Sequence, residues 1–278
     1  MSVVATLRSE TFAANRARAR IAFGVNADAG VSRRTRVHEA GSLRVRFPNG
    51  LRADTLDAVM VNTAGGMTGG DRFDVAIDVG AGAKLTVTTA AAEKIYRSLG
   101  PDTEIAVKLS VSSGGTLAWL PQETILFNQV RLKRSIDVTL DDDAQLLVAE
   151  AVVFGRSAMA ETVTQGLFVD RWRIHRGGAL VFAETARLDT MIAKTLAQSA
   201  STAGGVAIAS VIKTPGTDDD VAGVRALTES FVGEVGISAW NGIAVARFVA
   251  RDGATLRRDL MNVLAVLSPA PLPRLWLN

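Results

Sequence analysis

The chain of 278 residues contains no cysteine and only two histidines, His38 and His175. The first absence excludes disulfides, iron–sulfur clusters, thiolate zinc sites and a cysteine nucleophile. The second leaves too few imidazoles for a multi-histidine metal cage within one chain. Aromatic residues amount to 5%, with a single tyrosine, too few for sugar stacking or a single-strand nucleic-acid platform. Long hydrophobic runs are missing as well. The longest uncharged stretch, Thr195 to Ile212, is broken by Gln198, Ser199, Ser201 and the Gly204-Gly205 pair, so it cannot span a bilayer. Met1 to Glu10 meets Arg8 before any apolar targeting core could form, and a soluble cytoplasmic protein is expected. No stretch is rich enough in Pro, Gly or Ser to act as a linker, which predicts one domain over residues 1–278.

What is present is ample apolar material, 48% of residues against 21% charged, enough for a packed core and too much for a disordered chain. Charge is unevenly placed. Residues 1–52 hold ten Arg and no Lys against Glu10, Asp28 and Glu39, a balance of +7. The remainder carries 21 basic and 25 acidic side chains, a balance of −4. The order of Arg16, Arg18 and Arg20, then Arg33, Arg34 and Arg36, then Arg44 and Arg46 suggests exposed strand faces. A charged edge that discourages strand-to-strand aggregation explains it without nucleic acid.

The middle of the chain repeats itself. Small or polar turn residues followed by Leu and then alternation recur at Leu85, Leu117, Leu146 and Leu180, spaced 32, 29 and 34 residues apart. Before each turn lies another alternating run: Phe73, Val75, Ile77 and Val79; Ile105, Val107, Leu109 and Val111; Ile136, Val138 and Leu140; Phe168, Trp172 and Ile174. Period-two alternation marks half-buried strands, and a repeat near thirty residues marks stacked supersecondary units. The expected fold is mainly β: stacked antiparallel hairpins forming a layered or helical-β body, with two C-terminal helices. One helix is read through Val224, Leu227 and Phe231. The other is read through Leu256, Leu260, Val263, Leu264 and Leu267, N-capped by Asp252, with Arg257, Arg258 and Asp259 pointing outward.

Four segments break the pattern: Asn62 to Asp71, Thr88 to Ser98, Leu120 to Gln129 and Phe154 to Glu161. The last three each follow the second strand of a unit, so stacking should bring them to one edge, where a rigid scaffold usually carries function. The first holds Gly65, Gly66, Gly69 and Gly70. It lacks the Lys-Ser/Thr of a P-loop and carries Asp71 where phosphate needs a cation, so it reads as a tight left-handed turn capped by Asp71. Asp71, Glu93, Glu123, Glu150, Glu161 and Glu184 all fall at strand ends or in these loops. Their chemistry leaves three readings open: a hydrolytic carboxylate pair, loose oxygen ligands for a divalent cation, or ion pairs with Lys94, Arg97 and Arg156.

Ala64-Gly-Gly-Met-Thr-Gly-Gly-Asp71, Glu93-Lys-Ile-Tyr-Arg-Ser98, Leu120-Pro-Gln-Glu-Thr-Ile-Leu-Phe-Asn-Gln129 and Gly155-Arg156 followed by Glu161 together resemble the urease accessory protein UreD family, called UreH in some bacteria. The resemblance covers nearly the whole chain. It implies a non-catalytic assembly factor that binds the urease apoprotein with a UreF-type helical partner and a UreG-type GTPase. It further implies transient passage of Ni2+ to the urease active site through an internal, water-filled channel, with no tightly bound cofactor, no nucleic acid and no membrane. Oxygen donors and water, which exchange a transition metal readily, are what this sequence could offer. Asp71 and Glu184 are the first candidates for the nickel path, with Glu93 and Glu123 behind them. Asp71 closes the glycine loop, and Glu184 stands at the same offset from its Leu as Glu150. Tyr96, Arg97, Asn128 and Arg156 are the candidate partner anchors, because Tyr and Arg supply much of the energy at interfaces. The rival reading is a carboxylate-dependent, carbohydrate-active β-solenoid enzyme.

Overall fold

In a computed structural model that describes residues 16–50, 52–98, 100–156 and 159–277, the alternating runs form two facing sheets. Arg8 and Glu10 lie outside the described residues. The first sheet has seven strands in the order β14 (Ala179–Thr190), β13 (Gly166–Arg176), β11 (Arg131–Leu140), β8 (Thr103–Val111), β5 (Arg72–Val79), β1 (Arg18–Asp28) and β2 (Val31–Ala40). The second runs β16 (Glu234–Trp240), β17 (Ile243–Ala250), β15 (Ala207–Thr214), β12 (Gln145–Phe154), β9 (Thr116–Leu120), β6 (Lys84–Thr89), β4 (Leu56–Asn62) and β3 (Leu43–Arg46). The short strands β7 (Glu93–Ile95) and β10 (Thr124–Leu126) continue it beside β12.

The mainly β, layered body is as the repeat predicts, but the pairing inside the units is not. The first three units are corners rather than antiparallel hairpins. β5, β8 and β11 pair in parallel in one sheet, while β6, β9 and β12 pair in parallel in the other. The turn backbones bond to the neighbouring coil: Gly80 N–H donates to Val25, Ser112 N–H to Val79 and Asp141 N–H to Val111. Period-two alternation is the same whether a strand pairs with the next strand or crosses to the facing sheet, so the pattern could not separate the two. The repeat leucines stack in register, Leu56 beside Leu85, Leu85 beside Leu117 and Leu117 beside Leu146. Only the fourth unit is a true hairpin, β13 with β14, and its Leu180 is exposed.

Arginine-bearing strands close one side of the body. β2, at the end of the first sheet, exposes Arg33, Arg34 and Arg36, and β3, at the end of the second, carries Arg44 and Arg46. Such charge at an edge opposes further strand addition. The short helix α1 (Ile192–Leu196) follows β14, and on the far side of the second sheet α2 (Asp218–Arg225) and α3 (Gly253–Leu267) cover a second core. Asp252 caps α3, accepting from Thr255 N–H at 2.7 Å, and Leu256, Leu260, Val263, Leu264 and Leu267 are buried beneath it. Full burial of such side chains contributes about 1.5–3 kcal/mol each.

Two helix expectations need correction. α2 ends at Arg225, and Leu227 and Phe231 only flank a 3-10 turn. The break falls where Thr228 Oγ1 and Ser230 Oγ bond back to Arg225 and Leu227 carbonyls, capping the chain out of helix. Asp259 does not point outward. It is buried and accepts from the N–H groups of Val232 and Gly233, satisfying the loop that returns from α2, and Arg257, also expected outward, turns in to Gln122 and Glu123.

Candidate functional site

Because β6, β9 and β12 run in parallel, the segments that follow them emerge at one edge. β10 pairs with both β7 and β12, placing Thr124 beside Glu93 and Val152. The glycine loop joins from the other side. Met67 N–H donates to the Lys94 carbonyl, and Tyr96 N–H to the Met67 carbonyl, both at 2.8 Å. All four pattern-breaking segments therefore meet at one end of the second sheet. Glycine is required where the loop passes its neighbours: a Cβ at Gly66 would lie 2.4 Å from the Tyr96 ring, and one at Gly69 would lie 2.0 Å from Ser98 Oγ. Gly65 and Gly70 adopt φ of 74° and 94°, which side chains disfavour.

Between the sheets, this edge opens into a cavity of about 310 Å³ whose lining includes Asn62, Glu93, Val107, Trp119, Arg134 and Glu150. A second cavity, about 200 Å³, is lined by Arg134, Glu150, Asp170, Trp172, Glu184 and Arg247, among others. Arg134 and Glu150 belong to both, so the two cavities meet at that pair.

The meeting point is a buried ionic cluster contributed by both sheets. Arg134 of β11 sets Nε and Nη2 on the two oxygens of Asp170 of β13, at 2.9 and 2.6 Å. Its Nη1 donates to Glu150 of β12 and reaches Thr124 Oγ1 at 3.4 Å. Trp119 Nε1 donates to the other Glu150 oxygen at 2.8 Å. Arg134, Glu150 and Asp170 are 4%, 5% and 7% exposed, so three charges share an interior otherwise built of Ile, Val, Leu and Phe. Burial pushes the Glu150 carboxyl up in spite of Arg134. Burial alone would pull the Arg134 guanidinium down, but Asp170 and Glu150 outweigh it and hold it above its ordinary value.

Of the residues marked for a metal path, Glu93 lines the first of these cavities and Glu184 the second. Glu93 accepts from Asn62 Nδ2 at 2.9 Å, and burial raises its carboxyl above the usual range, with the Asn62 bond and Lys94 opposing. Glu184 is half-buried and ion-paired to Arg247. Asp71 and Glu123 lie apart from the lining of both cavities. Asp71 accepts from Thr68 N–H at 2.9 Å and Ala17 N–H at 2.8 Å, so both its oxygens serve backbone. Glu123 turns toward the helical layer, where Arg257 donates to it at 2.9 Å while stacking on Trp276. Among the described residues no group of three or more His, Asp or Glu side chains could hold a metal ion.

The anchors chosen for a partner surface do gather at the loop edge. The Tyr96 and Phe127 rings meet edge to face at 4.8 Å, and Arg156 lies 4.1 Å over the same Phe127 ring. Tyr96 Oη donates to the Gly65 carbonyl, and Arg156 pairs with Glu161 at 2.7 Å. Asn128 Oδ1 accepts from the N–H and Oγ1 of Thr164, so it braces the following loop. Arg97 is exposed, and no ion pair holds it among the described residues.

Arg134 and Asp170 escaped the sequence reading, although a signal was there. Arg134 falls in phase with Leu132, Ile136 and Val138, and Asp170 with Phe168, Trp172 and Ile174. A charge on the apolar phase of a strand is a buried charge, and a buried charge needs a partner.

Comparison with known proteins matches residues 15–277 to the family model for UreD urease accessory protein. A protein of Rhodopseudomonas palustris (strain CGA009) named urease accessory protein UreD is 57% identical over 97% of this chain and 96% of its own length. One of Bradyrhizobium diazoefficiens with the same name is 55% identical over 98% of each. A third, named urease accessory protein UreD 3, from Bradyrhizobium sp. (strain BTAi1), is 51% identical over 99% of this chain and 98% of its own length.

Proposed function

Since the chain belongs to the UreD urease accessory protein family, we propose that it delivers nickel to the urease apoprotein as a non-catalytic assembly factor. It acts in the cytoplasm, in a complex with a UreF-type helical protein and a UreG-type GTPase. Nickel is its cargo. The observation that carries this reading is the pair of cavities between the sheets, which share Arg134 and Glu150, with Glu93 lining one and Glu184 the other. A cation crossing a protein interior must exchange water for spaced oxygen donors, and carboxylates several residues apart do this without holding the ion.

The loop edge serves as the partner surface. Tyr96, Phe127 and Arg156 form a stacked aromatic and cationic group there, the residue types that dominate interface energetics. The glycine loop shapes that edge, and Asp71 supports nickel transfer by holding the loop closed. The carbohydrate-enzyme reading finds no support. The buried carboxylates Glu150 and Asp170 are both committed to Arg134, which removes that pair as the acid and base of a sugar site.

The test is the nickel content of urease matured with Glu93→Ala, Glu184→Ala or Asp71→Ala beside the melting temperature of each variant. Glu93→Ala and Glu184→Ala are expected to remain folded and assembled while urease nickel falls severalfold. Full nickel loading with both of these variants would remove the path.

A further inference from the structure

The joint between the cavities holds a feature that a cation path alone would not call for: a positive charge. Glu150 and Asp170 come from strands of opposite sheets and are bridged by one arginine. Desolvating three ions costs several kcal/mol each, and an apolar trio of similar volume would often be no less stable. The charges therefore need a reason beyond stability. The guanidinium engages both oxygens of Asp170 and one of Glu150, and Trp119 holds the remaining Glu150 oxygen. All four carboxylate oxygens of the cluster are thus already engaged, and with both carboxylates ionised its net charge is −1. Removing the guanidinium would leave −2 and free oxygens from two facing strands in a low-dielectric site, where Coulomb attraction for a divalent ion is strong. Two carboxylates fixed in this way would trap nickel in transit.

We propose that Arg134 is a resident competitor cation, a positioning residue that holds Glu150 and Asp170 against divalent metal and so keeps the middle of the path weakly binding. A passing ion then shares or borrows one carboxylate while the guanidinium keeps the other. This rests on the cation path proposed above and assigns its selectivity to one side chain.

The experiment titrates the full-length protein with nickel(II), by calorimetry and by the rise in melting temperature. Arg134→Met is expected to bind one nickel ion at least tenfold more tightly than the wild type and to gain more thermal stability from it. Adding Glu150→Gln to Arg134→Met should return binding to the weak wild-type level. A folded Arg134→Met protein with wild-type affinity would overturn the proposal. Breaking a buried pair can prevent folding, so Arg134→Lys provides a second arm. It keeps the charge but loses the fork, and its affinity should fall between the two. Wild-type affinity in Arg134→Lys would overturn the proposal equally. The nickel content of urease matured with Arg134→Met separates this inference from the path itself. Tight binding with nickel-poor urease supports both, whereas tight binding with fully loaded urease keeps the role of Arg134 and discards the path.

Discussion

β12 has two buried faces, and the cores they enter treat charge in opposite ways. Toward the facing sheet, Leu146, Val148, Val152 and Phe154 share their side with Glu150, which meets Arg134 and Asp170 between two cavities. Toward the helices, Leu147, Ala149, Ala151 and Val153 pack under α3, and the buried carboxylate there, Asp259, is taken up by backbone N–H groups. A carboxylate held by main chain fixes a loop and has nothing to exchange. One held by another side chain, next to open space, can change partners. The helical layer thus serves to stabilise the body, and the proposed ion path runs through the inter-sheet layer.

The largest effect expected from that contrast is in the helical layer. Trp276 is fully buried against it and donates Nε1–H to the Leu120 carbonyl at 3.0 Å. Trp276→Ala should cost about 3–5 kcal/mol in urea unfolding. Protein that remains folded should still load urease, and a selective loss of nickel without loss of stability would blur the distinction between the layers. Next comes Asp259→Ala, which leaves two loop N–H groups without their acceptor. About 1–3 kcal/mol is expected, measured by thermal unfolding, with nickel delivery unaffected.

The smallest effect has the opposite sign. Burial raises the Glu93 carboxyl in the folded protein, so between the ordinary value of 4.5 and its raised value the folded state binds more protons than the unfolded state. Stability from that difference is present at low pH and lost as pH climbs through the window, leaving a buried charge at neutral pH. Glu93→Gln keeps an acceptor for Asn62 and removes the charge. It should melt higher than wild type at pH 7, and the gain should vanish below about pH 4.5. A pH-independent difference would mean that Glu93 is not desolvated as described.

Much of this was legible in the residues. The register of Leu85, Leu117 and Leu146, the inward phases of β5, β8 and β11, and the Asp252 cap of α3 all follow from local patterns. The convergence of the loops followed from the repeat even though the units proved to be corners, because parallel coils also deliver their ends to one side. Partner choice was less legible. The ion pairs that the sequence offered, as one of three readings, were between near neighbours, and Arg156 with Glu161 is one such pair. The others are long-range: Glu123 with Arg257, Glu184 with Arg247, and Glu150 with Arg134. Such pairs depend on which strands lie side by side across two sheets, and alternation carries no information about that.

The central claim, that nickel crosses the inter-sheet layer, can be tested by filling that layer. Val107 of β8 is buried and lines the larger cavity, so Val107→Phe places a ring in existing space while leaving every charge in position. The decisive measurement is nickel per urease active site after maturation with this variant in the assembled accessory complex. The expected result is a melting temperature near that of the wild type, an intact complex and urease severalfold poorer in nickel. Fully loaded urease from a folded Val107→Phe protein would contradict it.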